Sequence, residues 1–473
     1  MILNRLKEGI IYNAIGKYSN VVIQLLLQVI LARLITPAEF GIVAIVNVFL
    51  VFFQLLADFG IGPAIIQRKD IDRHETNQIY SFSIYFSLFL AIIFAVLAQP
   101  ISQFYNKPEL VRAVPVMAVA LLFNSLCMVP QNLLLKEKRF KQVNFTQVMG
   151  SLFNGIFSVT FAFMGFSFYS IIFGNIARAL IQLVIYLFST KLKFVFKFSL
   201  DPLKKIFPFA KNQMLFNIIN YFSRNLDSIL IGRYMPADQL GYYDKSYQLT
   251  LYPNTIFTGV ITSAIQPIFS DFQNDLTQIK NGYLNISKVL ANFSIPLTIF
   301  LFFSAEDIIY FLYGDQWGES VLAFQILSIS VWIQMLQSTT GAFFQSANRT
   351  DLLLLSGILS TALNIIGIII GVYQGSIYWV ATMVVISFSL NFFQTNYLML
   401  NRAFDSSIGE FFAVLIKPLL VGLVTLIAFI LLPNLTFNSF INLCIKGIVF
   451  LVTMLIGLII TNQLKDLWKM IRS

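Results

Sequence analysis

The chain has 473 residues, 57% of them hydrophobic and 11% charged, with a formal net charge of +10 and a mean hydropathy of +0.77. A soluble protein of this length needs far more charge to cover its surface, and a membrane barrel would show short alternating segments rather than long uniform apolar runs. Composition excludes both and leaves an all-α polytopic membrane protein.

Taken in order, the apolar runs predict fourteen spans: 9–34, 39–66, 75–98, 112–135, 142–164, 168–190, 206–232, 239–268, 283–303, 320–346, 352–373, 376–400, 411–432 and 438–461. The first is too long for a signal-peptide core and lacks a small-residue cleavage site, so it reads as a retained helix. Cys127 and Cys444 both fall in predicted spans, which argues against a disulfide framework or a thiolate metal site. The single histidine, His74, sits in a charged loop, and a metal site needs several ligands together. No GxxxxGK[ST] phosphate loop occurs. No basic, aromatic-interleaved soluble module points to nucleic acid.

Lysine and arginine set the orientation. Arg68, Lys69 and Arg73 follow span two, and Lys136, Lys138, Arg139 and Lys141 follow span four. A further basic run from Lys191 to Lys205 follows span six. The connections after odd spans are much poorer in cations, so both termini are expected in the cytoplasm. The net positive charge is largely this topological signal, and it also suits anionic lipid headgroups.

A repeat lies at an offset of 200. ARLITPAEFG after span one is echoed by GRYMPADQLG after span seven, with Arg33 and Gly41 matching Arg233 and Gly241. Span one carries the polar residues Asn13, Lys17, Asn20, Gln24 and Gln28, and span seven carries Gln213, Asn217, Asn220, Arg224 and Ser228 at the same offset. Spacings of four, three, four and four place each set on one helical face. Lipid penalises such a stripe, so it should face the bundle interior or a wet cavity. Helix–helix hydrogen bonding is the competing use. Six spans separate the copies, so the repeats run parallel about an axis along the membrane normal, an arrangement that places substrate near the midplane. The expected organisation is a six-helix lobe at 1–202, a second at 203–400, and an added helix pair with a cytoplasmic tail at 401–473.

Charges inside spans are costly, about 2.5–3.5 kcal/mol each at the helix centre. Lys17, Arg178 and Arg224 are cations of this kind, and Asp58 and Asp227 are the acids. Asp227 either pairs with Arg224 along one helix or holds it ready for an anion, because guanidinium matches phosphate bidentately. Asp58 either pairs with Lys17 or takes up a coupling proton. Asp244 and Lys245 are either rim charges or an outer gate. Tyr242 and Tyr243 read as interface tyrosines.

The segment NYFSRNLDSILIGRYMPADQLGYYDKSYQL, Asn220 to Leu249, resembles the signature of the Wzx-type polysaccharide exporters, the lipid-linked oligosaccharide flippases. ARLITPAEFGIVA and VPQNLLLKEKRF are similar to the same family, in the subgroup of colanic acid and teichuronic acid exporters. The resemblance spans essentially the whole chain. It implies membership of the superfamily that includes MATE-type multidrug exporters, two six-helix lobes and alternating access. It also implies a cationic cavity for the diphosphate of an undecaprenyl-linked oligosaccharide. Cations in spans one and seven are part of that expectation, which Lys17 and Arg224 fit, and Arg178 in span six joins them as a candidate.

The expected partners are then a polyprenyl-diphosphate-linked oligosaccharide and the bilayer of the bacterial cytoplasmic membrane, with a polysaccharide polymerase and glycosyltransferases as protein partners. No cofactor is expected beyond a coupling proton or sodium ion. A drug exporter of the same fold is the alternative, but its cavity should be more acidic. A membrane-embedded polymerase or ligase is disfavoured, because the longest outer connections, Gln99 to Val111 and Ser304 to Ser320, contain no histidine, and the acids Glu306, Asp307, Asp315 and Glu319 lack a basic partner or metal-ligand spacing.

Overall fold

The computed structural model describes residues 2–464 apart from 59–60, 68–70, 197–198, 200, 270–271 and 274. Every regular element among the described residues is helical. In chain order the helices are α1 (Ile2–Leu34), α2 (Pro37–Asp58), α3 (Ile61–Gln67), α4 (Arg73–Val96), α5 (Ala98–Tyr105), α6 (Leu110–Lys136), α7 (Phe140–Phe163), α8 (Tyr169–Thr190), α9 (Asp201–Tyr234) and α10 (Ala237–Phe269). They continue with α11 (Leu276–Phe303), α12 (Ala305–Leu312), α13 (Gly318–Ser328), α14 (Val331–Gln337), α15 (Thr340–Ser346), α16 (Thr350–Tyr373), α17 (Ile377–Tyr397), α18 (Ile408–Leu431) and α19 (Ser439–Ile460).

Among the described residues, nine helical segments are long and apolar enough to cross a membrane, and a bent pair at 315–346 supplies a tenth. The other four predicted spans are helical too, as α1, α7, α9 and α10, but do not pass that test among the described residues. Spans three and nine are followed by short helices, α5 and α12, that the apolar runs did not separate. Predicted span ten is the clearest departure, because it breaks into α13, α14 and α15 with a bend of 49°. Hydroxyls lie at the breaks. Ser330 Oγ donates to the Leu327 carbonyl (2.7 Å), and Ser338 Oγ to that of Met335 (2.7 Å). Such local bonds compete with the helical ladder.

The chain divides into two compact units, Met1–Gly241 and Tyr242–Ser473. In the first, α7 and α8 form a hairpin, α1 lies against α7, α6 against α8, and α9 against α2 to α5. Pro37 opens α2 at the position where a missing N–H costs nothing. Thr36 and Glu39 close a capping box there, with Thr36 N donating to Glu39 Oε2 (2.8 Å) and Glu39 N to Thr36 Oγ1 (3.4 Å).

The repeat is visible in the helix ends. α1 stops at Leu34 and α9 at Tyr234, and α2 starts at Pro37 and α10 at Ala237. The two copies also touch reciprocally: a Cβ on Gly41 would overlap the Ala237 carbonyl, and one on Gly241 would overlap the Pro37 carbonyl. Residue i of one copy meeting residue j of the other, and the converse, is the mark of a local two-fold. Only glycine permits two backbones this close.

In the second unit, Tyr283, Phe343, Phe392 and Phe411 centre the core, and Tyr283 Oη donates to Asn396 Oδ1 (2.5 Å). Phe411 carries α18 into that core. α19 is tied in by Lys446 Nζ on Asp307 Oδ2 (2.5 Å), by Asn442 Nδ2 donating to Asp307 Oδ1 (2.9 Å), and by Asn292 Nδ2 donating to Gln463 Oε1 (2.9 Å) just beyond its end. Tyr243 corrects an expectation. It is 1% exposed and stacks on Tyr247, so it packs inside this unit, while Tyr242 is half-buried and meets Trp317 edge-on.

Candidate anion-binding pocket

Four helices of the first unit line a pocket of about 450 Å³. α1 contributes Lys17, Asn20 and Gln24, and α6 contributes Gln131. α7 contributes Asn144 and Gln147, and α8 contributes Arg178. Periodicity explains the convergence: positions 17, 20 and 24 share one face of α1, and 144 and 147 one face of α7. Asn20 is fixed at both ends, since its Nδ2 donates to the Gly16 carbonyl (2.9 Å) and its Oδ1 accepts from Ser151 Oγ (2.7 Å). Asn144 Nδ2 donates to the Phe140 carbonyl (2.9 Å).

The rest of the lining is differently placed. Among the described residues, Lys17, Gln24, Gln131, Gln147 and Arg178 have no protein hydrogen bond or ion pair. The pocket includes no Asp or Glu. Two cations and three amides therefore face a cavity in an apolar bundle, where groups without a partner need water or a ligand. An anion of several oxygens satisfies both kinds: guanidinium and ammonium supply charge, and amides supply further donors.

A second pocket of about 240 Å³ shares Gln24 and Arg178 with the first. It adds Gln28 from α1, Asn47 from α2, Ser151 and Asn154 from α7, and Asn175 from α8. Asn154 Nδ2 donates to Asn175 Oδ1 (3.1 Å), and Ser158 Oγ donates to Asn154 Oδ1 (3.2 Å). The residue numbers rise from the first pocket to the second along α1 and α7 and fall along α8. That is the order expected of spans one, five and six.

Of the remaining sequence candidates, none that the structure describes lines either pocket. Arg224 is exposed on α9 and lines neither pocket. Among the described residues no ion pair joins it to Asp227, which is 6% exposed and accepts a bond from the Ser228 N–H (2.8 Å). Three residues apart on one helix is within reach, but Asp227 is turned into the packing and Arg224 is turned out. Asp58 Oδ1 accepts from Gly62 N (3.1 Å), so it caps α3 rather than pairing with Lys17. Asp244 Oδ2 accepts from Gln248 Nε2 (2.7 Å), and Lys245 is 1% exposed, unlike a solvated rim charge. Asn217 and Ser228 on α9 are partly buried. The side chains of Asn13, Gln213 and Asn220 lie outside the described residues.

A profile of the polysaccharide biosynthesis protein family matches residues 30–322, more than half of the chain. The chain belongs to that family. Within the polysaccharide biosynthesis proteins it is 26% identical over 424 residues to the teichuronic acid biosynthesis protein TuaB of Bacillus subtilis, covering 89% of this chain and 87% of that one. It is 21% identical to the lipopolysaccharide biosynthesis protein WzxC of Escherichia coli, covering 89% and 86%. Its fold is that of the lipid II flippase MurJ in an inward closed conformation, with a TM-score of 0.76 at 15% identity over 96% of this chain and 99% of that chain. As in the sequence reading, this polysaccharide biosynthesis protein is a multi-span helical membrane protein. Sequence reasoning named Lys17, Asn20, Gln24, Gln28 and Arg178 but missed the α7 contribution. The signal was present, since Asn144, Gln147, Ser151, Asn154 and Ser158 repeat at spacings of three and four.

Proposed function

We propose that this protein is a flippase that moves undecaprenyl-diphosphate-linked oligosaccharide units across the bacterial cytoplasmic membrane for capsule, exopolysaccharide or cell-wall polysaccharide synthesis. Lys17 and Arg178 hold the diphosphate. The observation that carries the reading is the acid-free pocket in which two membrane cations face a cavity without a protein hydrogen bond or ion pair among the described residues. The relatives support it through their names in teichuronic acid and lipopolysaccharide biosynthesis. A cavity of about 450 Å³ has the volume of about fifteen waters. That suits a diphosphate and not a whole oligosaccharide, so the glycan and the lipid chain extend beyond it.

Translocation is by alternating access of two six-helix lobes, 1–202 and 203–400, with the pair at 401–473 as an addition, and both termini are cytoplasmic. No covalent step is required, so the role is transport and not catalysis. Coupling to a proton or sodium ion belongs to the proposal, with the buried Asp227 and Lys245 as its candidates. A cationic drug finds no carboxylate in this pocket, which disfavours the drug-exporter alternative.

The test is the Lys17→Ala/Arg178→Ala double variant in cells. Surface polysaccharide should be lost at normal protein level, with the lipid-linked oligosaccharide accumulating in the cytoplasmic leaflet. Unchanged export with normal leaflet distribution would remove the role assigned to both residues.

A further inference from the structure

The second pocket carries chemistry that anion binding leaves unused. Its polar side chains are amides and a hydroxyl, with Arg178 at the boundary and no Asp or Glu. Asn47 has no hydrogen-bond partner among the described residues. The Asn154 and Asn175 pair is half satisfied internally: Asn154 donates to Asn175 Oδ1, which leaves the Asn175 amide nitrogen without an acceptor among the described residues. Asn154 is 8% and Ser151 is 2% exposed, so the wall they make is set by packing. Helix–helix adhesion accounts for the Asn154–Asn175 bond. It does not account for Asn47, which bonds to neither.

Size and charge narrow the occupant. A volume of about 240 Å³ is that of about eight waters, enough for one pyranose and too little for two. Amides offer donor and acceptor side by side, as hydroxyl and acetamido groups require. No carboxylate is present to neutralise an ammonium, and Arg178 repels one.

We infer that this amide-lined pocket receives the single sugar directly attached to the diphosphate, and that Asn47 and Asn175 select a neutral or acidic hexose bearing hydroxyl or acetamido groups over an amino sugar. The inference rests on the diphosphate being held by Lys17 and Arg178. Connectivity fits, because the shared residues Gln24 and Arg178 sit where a sugar–phosphate linkage crosses between the pockets.

Three probes test it on the purified full-length protein: farnesyl diphosphate, farnesyl diphosphate carrying N-acetylglucosamine, and the same lipid carrying glucosamine. The wild type should bind the acetylated probe about tenfold more tightly than the bare diphosphate and than the amino sugar. Asn47→Leu and Asn175→Leu should each erase most of that ratio. Asn47→Leu is the cleaner variant, since it breaks no internal bond. If the wild type binds all three probes alike, or both variants keep the full ratio, the sugar lies elsewhere and the inference falls while the anion pocket stands. If Lys17→Ala/Arg178→Ala binds the bare diphosphate as well as the wild type does, the anion pocket itself fails and the sugar site with it.

Discussion

Arg178 and Lys446 are both cations on apolar helices, yet the molecule treats them oppositely. Lys446 meets Asp307 at 2.5 Å and also donates to the Phe303 carbonyl (2.9 Å), and Asn442 satisfies the other carboxylate oxygen. Arg178 makes no hydrogen bond or ion pair among the described residues, although the Tyr186 phenol lies within electrostatic reach, and it lines two polar pockets. The first arrangement spends its charge on holding α19 to α12. The second keeps charge available. In a membrane protein the useful distinction is therefore between cations that the fold has already paired and those it has not.

Removing a partner should separate the two. Asp307→Ala strands Lys446 and should cost about 3–5 kcal/mol of stability, read as a lowered unfolding midpoint in detergent. Asp307→Leu/Lys446→Met should recover most of it, because apolar replacements of such pairs are close to neutral. Arg178→Gln should leave the midpoint unchanged or raised. Its loss appears in affinity for farnesyl diphosphate, about 1.5–3 kcal/mol or about 10–150-fold. A drop in the midpoint as large as that of Asp307→Ala would mean that Arg178 is structural after all.

Gly41→Val asks how rigid the frame around the free cation is. Its side chain would enter the Ala237 backbone, which cannot move aside as a side-chain tip can, and should cost about 1–3 kcal/mol of stability. A variant as stable as the wild type would show that the crossing of the two copies is loose. The smallest effect in the same diphosphate assay is expected from Arg224→Gln, since Arg224 lines neither pocket. Equal losses for Arg224→Gln and Arg178→Gln would erase the distinction between cations inside and outside the pocket.

The spans were legible because hydropathy reports burial in lipid directly. The ends of α1 and α9, and the starts of α2 and α10, recur at the offset that the repeat gives. What hydropathy does not report is a bend within an apolar run, and so the breaks near Ser330 and Ser338 were hidden. Lys17 and Arg178 were legible one at a time, as charges where charge is expensive. That they share a pocket, while Arg224 lies outside it, depends on which helices pack together. The stripe on α1 faces α7, whereas α9 lies against α2 to α5. Periodicity identifies a face but not its neighbour.

The reciprocal contact of Gly41 and Gly241 has an evolutionary corollary. Two copies of a half-length chain meeting about such a crossing would form a homodimer, in which every substitution is made twice. A single continuous chain is released from that constraint. Position 24 can keep a glutamine inside a polar pocket while position 224 acquires an arginine, and position 27 can stay leucine while position 227 becomes aspartate. Joining the copies end to end is what lets corresponding positions of the two halves carry different side chains.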